Sequence, residues 1–353
     1  MVDKRTVRGD TRRDDPTRMP LHPVPGPACR MSWFTDLTGL SDDRAETVRD
    51  GLRVEGTTLH CPNGRALRAG RLDLSALADL RALTPDLGTG RLSARTVRAD
   101  ARALHADPDA AGALFQVASQ FNLLEMVGPD VTPEDGIAGY VHDRTQGPAC
   151  AMACAAGTIW RAYYGLDGAP QTARRQIDAA ADLAHALSDG TGAPWRMRNG
   201  YLLPEAAALD RIGARIGALD ADGRDALAGS LRIGVQADTE VTLPGAGHLV
   251  HQAYCSAVPV SYSGHPADAW APLARLVLDA AYEATLRAAV TLGAPRVYLT
   301  LLGGGAFGNR TAWILAAIDR ALDACGGADL DVVVVSYGPP DADLLSLAPG
   351  DAA

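Results

Sequence analysis

R-V-Y-L-T-L-L-G-G-G-A-F-G-N-R, residues Arg296 to Arg310, sets a short apolar run, a glycine loop and a helix start in unbroken succession. Val297 to Leu302 has the composition of a buried central strand, and Ala312 to Leu322 continues with helical periodicity. Gly303, Gly304, Gly305 and Gly308 lie between them. Their lack of Cβ atoms lets a ligand approach the backbone, and amides beside a helix start can face an anion. The run is neither the dinucleotide pattern G-x-G-x-x-G nor a Walker loop, because it has no Lys followed by Ser or Thr. A plain tight turn is the alternative reading of the loop.

Two other stretches share this chemistry. Leu114 to Ala118 reads as a strand running into S-Q-F-N-L-L-E-M, residues 119–126, and polar groups at the carboxyl end of a buried strand are where open α/β sheets place ligand contacts. Gln120, Asn122 and Glu125 are candidates there, with satisfaction of the loop backbone as the competing role. Thr145, Gln146 and Gly147 precede Pro148, which is read as the first residue of a helix, so they form a second helix amino end suited to an anion. The small residues that follow serve equally for close helix packing. Cys150 and Cys154, one turn apart, are read as buried small side chains.

The remaining pattern supplies a frame. A helix over 42–51 capped by Ser41, a strand over 53–60, a turn at Asn63-Gly64, a returning strand over 65–72 and a helix over 75–83 lead to a strand at 96–101. Residues 128–140 form a loop that could act as a lid. Helices are expected over 171–187, 206–227 (interrupted near 220–225) and 270–292, strands over 231–242 and 249–261, and His251 is read as a core histidine. Leu330 to Tyr337 is a last buried strand with Ser336 and Tyr337 at its carboxyl end.

Composition bounds the function. With 353 residues and 47% apolar content the chain can build a large core, and a net charge of -9 disfavours sequence-independent nucleic-acid binding. The six cysteines are scattered without C-x-x-C spacing, which signals neither zinc nor a disulfide framework and points to a reducing, cytoplasmic setting. No run approaches the roughly 18 apolar residues of a membrane helix.

Taken in order, these elements resemble a macrodomain over about residues 95 to 338. A-L-F-Q-V-A-S-Q-F-N (Ala113 to Asn122) resembles the macrodomain strand ending in an asparagine beside the distal ribose. G-G-G-A-F-G-N (Gly303 to Asn309) is similar to the G-C-G-A-F-G-G loop of poly(ADP-ribose) glycohydrolases, and Val332 to Tyr337 resembles the last central strand. The resemblance implies a three-layer α/β/α mixed sheet, with a flexible arm at 1–30, an amino-terminal elaboration at 31–94 packed on the main domain, and an ADP-ribose-binding domain at 95–353. ADP-ribose, or an ADP-ribosylated protein or small molecule, would lie across the strand ends. Gly303, Gly304, Gly305, Ala306, Phe307, Gly308 and Asn309 would hold the diphosphate with Phe307 along the ribose, and Gln120, Thr145, Gln146, Gly147 and Tyr337 would complete the binding set. This requires Asn122 and Gly305 to line one cleft.

The Q-E-E carboxylate pair of the glycohydrolases is absent from the stretch where it should occur, which holds T-Q-G-P-A-C-A instead. Glu125 is therefore the first choice for the catalytic group, with Asn122 beside the distal ribose and Asp143 as the second carboxylate. Neither metal nor cofactor is expected, nor a nucleic-acid or membrane partner. The expectation is an ADP-ribosyl glycohydrolase. The alternatives are a reader that binds without turnover and an enzyme acting on another NAD-derived or nucleotide-diphosphate metabolite.

Overall fold

A computed structural model describes residues 32–188, 190 and 192–348; the expected arm at 1–30 lies outside the described residues. The amino-terminal part contains α1 (Trp33–Thr38), α2 (Ala45–Gly51), and a small meander of β1 (Arg53–Glu55), β2 (Thr58–His60) and β3 (Ala66–Arg68). It continues into β4 (Arg71–Ala76), α3 (Leu77–Leu83), β5 (Ser93–Arg98), α4 (Ala101–His105) and β6 (Leu114–Ala118). After a long connection come α5 (Gln146–Ala153), α6 (Ala155–Tyr163), α7 (Ala181–Leu187), the hairpin β7 (Arg196–Arg198) and β8 (Tyr201–Leu203), α8 (Ala206–Ala218) and α9 (Ala221–Gly229). The chain closes with β9 (Arg232–Glu240), β10 (Leu249–Cys255), α10 (Ala267–Leu292), β11 (Arg296–Thr300), α11 (Thr311–Ala324), β12 (Asp331–Ser336) and α12 (Ala342–Leu347).

Seven strands form one mixed sheet in the order β4-β9-β10-β6-β11-β12-β5. From β10 to β5 the neighbours are parallel, while β9 runs antiparallel to both β10 and β4. Helix α10 crosses one face beside α3, α8, α9 and α11, and α4, α5 and α6 cover the other. This is the expected three-layer α/β/α arrangement. Coverage of both faces explains why β12 can read V-V-V-V without alternation: all four valines are buried, each contributing about 1.5–3 kcal/mol through burial.

The boundary at residue 94 falls inside β5 and leaves β4 on its amino-terminal side, so β4 and the start of β5 belong to the main sheet. The strand expected over 53–60 is two strands folded back at Gly56, because Gly56 takes φ +59°. The helix expected from Asp42 starts at Ala45, since Ser41 and Asp42 spend their side chains elsewhere. The helix expected over 171–187 survives only as α7. Ahead of it, Gln171 donates to the carbonyls of Asn122 and Arg161 and accepts from the Ile177 amide, so side-chain bonds displace the helical ladder. His251 accepts from the Asp238 amide at 3.0 Å, beside a register shift that Asp238 creates with φ +55°.

Candidate functional site

The sheet brings the carboxyl ends of β6, β11 and β12 to one edge, and a cleft of ≈ 1030 Å³ lies over them. Its walls include Ser119, Gln120 and Glu125 after β6, Asp143 to Gly147 at the start of α5, Gly303 to Phe307 after β11, and Tyr337 after β12. The three stretches singled out from the sequence thus face a common space.

The turn after β6 is tightly determined. The Gln120 amide donates to the Leu124 carbonyl and the Leu123 amide to the Gln120 carbonyl, with Leu123 held at φ +63°. A left-handed leucine persists only where its surroundings over-determine it. Here Asn122 Oδ1 accepts from the Leu124 amide, and Gln120 Oε1 accepts from the Met126 amide at 2.6 Å. Asn122 is fully buried, donates to Gln176 Oε1, and does not reach the cleft wall; its neighbours Gln120 and Glu125 do. Asn122 and Gly305 therefore do not line one cleft as expected: Asn122 is spent inside the turn, and Gln120 and Glu125 stand in the wall with Gly305 instead.

Glu125 is the carboxylate set deepest beneath the cleft, with its side chain 1% exposed. Nη2 of Arg161 contacts its two oxygens at 3.0 and 3.1 Å, and the Tyr140 hydroxyl accepts from its amide. Arg161 is itself fully buried, 3.5 Å above the centroid of the Tyr254 ring. Burial pushes the Glu125 carboxyl up to about 7, against the opposing pull of the guanidinium. Gly147 permits this layering: a Cβ there would collide with the Ala118 carbonyl and press on Glu125 Cγ.

Helix α5 begins at Gln146, so Pro148 is its third residue rather than its first. The first four helical amides have no partner within the helix, and proline costs no bond at that position. Thr145 is the N-cap residue, and its amide donates to Asp143 Oδ1 at 2.8 Å. Gln146 turns inward: its Oε1 accepts from the Ala118 amide and its Nε2 donates to the Gln116 carbonyl, tying α5 to β6.

In the glycine loop Gly303 has φ +74°, and a side chain there would collide with Ala257. Asn309 is a staple of the loop, its Nδ2 donating to the carbonyls of Val258 and Gly303. Like Gly308 it stands behind the cleft wall. Phe307 joins Tyr201 and Tyr262 in an aromatic cluster with centroid separations of 5.1–5.6 Å. Thr300 Oγ1, buried at the end of β11, lines the cleft with no hydrogen-bond partner among the described residues.

Tyr201, Tyr262, Thr300 and Arg161 escaped the sequence reading. Tyr201 and Tyr262 come from segments without a motif. Arg161 left a trace: it is the one charge in the apolar helix A-A-G-T-I-W-R-A-Y, and a buried charge demands a partner. Among the described residues no group of three or more His, Cys, Asp or Glu is placed to hold a metal ion, and no helix is long and apolar enough to cross a membrane.

No protein-family model matches the chain, and no curated protein does. Among solved structures, it is similar to the poly(ADP-ribose) glycohydrolase of Deinococcus radiodurans in complex with ADP-ribose, at 13% identity over 78% of this chain and 92% of that one, with a TM-score of 0.45. It is also similar to the poly(ADP-ribose) glycohydrolase of Thermomonospora curvata, at 15% identity over 85% and 92% of the respective chains, with a TM-score of 0.38.

Proposed function

We propose that the cleft binds ADP-ribose or an ADP-ribosyl group and that the protein hydrolyses the ADP-ribosyl glycosidic bond. The observation that carries the reading is the convergence of the Gly303–Phe307 loop, the α5 amino end and the turn holding Glu125 on one cleft at the carboxyl ends of parallel strands. The glycine-rich backbone of the loop and the amino end of α5 suit a diphosphate. Phe307 offers an apolar face to a ribose, and Thr300 Oγ1 is an unspent hydroxyl. Glu125 would serve as the acid: a carboxyl near 7 is half protonated at neutral pH and can donate to a leaving group as an oxocarbenium-like state develops.

Calorimetric titration with ADP-ribose, ADP and NAD tests the binding half. Turnover of ADP-ribosylated protein, polymer and small conjugates tests the chemistry. Absence of ADP-ribose binding at millimolar concentration would sink the whole reading. Binding without release of ADP-ribose would favour a second reading, a non-catalytic reader. One observation favours that alternative: Glu125 is engaged with Arg161 and only 1% exposed, so it must be uncovered to reach a substrate.

A further inference from the structure

The connection between β6 and α5 contains a short helical turn, Ala138–His142, whose middle residue, Tyr140, is buried. A phenylalanine would fill the same ring space, whereas a buried hydroxyl must find partners. This hydroxyl accepts from the Glu125 amide at 2.9 Å and donates to the Glu125 carboxyl. The backbone of the same residue reaches the second carboxylate, since the Tyr140 carbonyl accepts from the Asp143 amide at 3.1 Å. Both carboxylates singled out from the sequence are thus tied to Tyr140.

Tyr140 meets Glu125 from behind. Glu125 stands in the cleft wall and Tyr140 does not, so the tyrosine can act on a bound molecule only through its neighbours. Among the described residues, the charged or titratable groups facing the Glu125 carboxyl are Arg161 from α6, Tyr254 from β10, Cys150 from α5 and Tyr140; of these, Arg161 and Tyr140 hydrogen-bond it. Arg161 brings one nitrogen, shared between the two oxygens at 3.0 and 3.1 Å. Two parallel bonds from a guanidinium would fix the plane of a carboxylate, but one shared nitrogen fixes only its distance. A second bond from another direction supplies the missing constraint. It also favours the charged carboxylate, against the upward push of burial.

The turn carrying Tyr140 is anchored from outside the main sheet. Asp42 Oδ2 accepts from the amides of Ile137 and Ala138 at 2.7 and 2.5 Å, and Trp33 Nε1 donates to the Ala138 carbonyl at 2.9 Å. Residues ahead of β4 therefore hold the group that holds Glu125.

Resting on the glycohydrolase reading above, in which Glu125 is the acid, we infer that Tyr140 is a positioning residue: its hydroxyl sets the plane of the Glu125 carboxyl, and Asp42 and Trp33 of the amino-terminal part keep it there.

The test compares the wild type with Tyr140→Phe in the full chain, by turnover of ADP-ribosylated substrates, calorimetry with free ADP-ribose, and carboxyl carbon NMR in which Glu125→Gln assigns the Glu125 signal. Turnover should fall by about 10- to 100-fold with ADP-ribose affinity kept. The decline of activity above neutral pH should move to higher pH, and the Glu125 titration with it, because the bond that favours the charged form is gone. A hydroxyl that merely satisfied the Glu125 amide would move neither. Should Tyr140→Phe fail to fold, Asp42→Ala releases the same turn from outside the cleft wall and should lower turnover with affinity kept; unchanged turnover there overturns the proposal. Unchanged turnover and titration in Tyr140→Phe overturn it while leaving the glycohydrolase reading intact. Loss of ADP-ribose affinity in step with turnover also overturns it, because the hydroxyl then shapes the cleft rather than the acid. Absence of turnover by the wild type removes the reading beneath it, and the proposal with it.

Discussion

A single guanidinium nitrogen of Arg161 spans both carboxylate oxygens of Glu125, at 3.0 and 3.1 Å, while Nε and Nη1 of the same arginine have no partner among the described residues. The pair is therefore mutually dependent and incompletely satisfied. Removing the glutamate leaves an uncompensated buried guanidinium, and removing the arginine leaves a buried carboxyl without the cation that bonds both its oxygens.

Arg161→Met should destabilise the fold, because Glu125 loses the guanidinium that bonds both its oxygens in a buried position and its carboxyl is pushed further up. Adding Glu125→Gln should recover much of the loss. Urea denaturation of the two single variants and the double variant measures the coupling, and strict additivity would show that the pair does not act as a unit.

Glu125→Gln keeps the size of the side chain and an acceptor oxygen but removes the charge. If the protein hydrolyses an ADP-ribosyl bond, turnover should fall by about 10² to 10⁴ while ADP-ribose affinity is nearly retained, provided the assay runs well below the variant's melting temperature. For the wild type, turnover should decline as pH rises through about 7, where the carboxyl loses the proton it must donate. Full activity of the Gln variant would remove Glu125 from the mechanism, and Asp143→Asn is the parallel substitution.

The glycine loop separates shape from contact. Gly305 faces open space, with nothing within 4 Å of a Cβ there, so Gly305→Ala should leave the melting temperature unchanged and weaken ADP-ribose binding through the added methyl. Gly303→Ala should lower the melting temperature as well, because it combines a left-handed backbone with a collision against Ala257. Thermal scans with and without ADP-ribose report both effects. At a ligand concentration 100 times Kd, the wild type should gain about 2.7 kcal/mol.

Asp42 clasps the long connection after β6. Its Oδ2 accepts from the amides of Ile137 and Ala138, and its other oxygen accepts from the Tyr163 hydroxyl. Burial pushes its carboxyl up to about 7. A folded-state value above the unfolded one gives stability that is complete below about 4 and lost as pH rises through 7, and Glu125 acts in the same direction. His105 opposes this on the acid side: burial pushes it down to about 4, so its contribution is lost as pH falls from about 6.5. Asp42→Asn should therefore flatten the fall in stability between about pH 4 and 7. An unchanged slope in denaturation series across that range would exclude Asp42 as its source.

The centre of the parallel sheet was legible because β6, β11 and β12 are rich in buried apolar residues and end at polar residues or glycine: Leu114 to Ala118 was placed to the residue, and β11, β12 and α11 to within two, whereas β5 lies three residues before the expected 96–101 and β10 ends at Cys255 rather than 261. The stretches around Gln120, Thr145 and Gly303 could be grouped because strand ends and helix starts leave backbone groups unpaired whatever the tertiary contacts. Their side chains were another matter. Gln120, Asn122, Gln146 and Asn309 can each bond backbone as readily as ligand, and their neighbours decide which, as the bonds from Met126, Leu124, Ala118 and to Val258 show. The aromatic wall was hidden because Tyr201 and Tyr262 meet Phe307 only through tertiary folding.

The strand order also dictates when this protein can fold during its own synthesis. Edge strand β5 pairs with β12, joining Ser93 to Asp331, and β4 pairs with β9, joining Arg71 to Ala237. Both wait, unpaired and partly apolar, until much of the remaining chain has left the ribosome. At roughly 5–20 residues per second, β5 waits on the order of ten seconds or more for its neighbour. Such distant pairings make folding slow and leave strand edges open to other chains, so newly made protein should need a chaperone far more than refolded protein at high dilution.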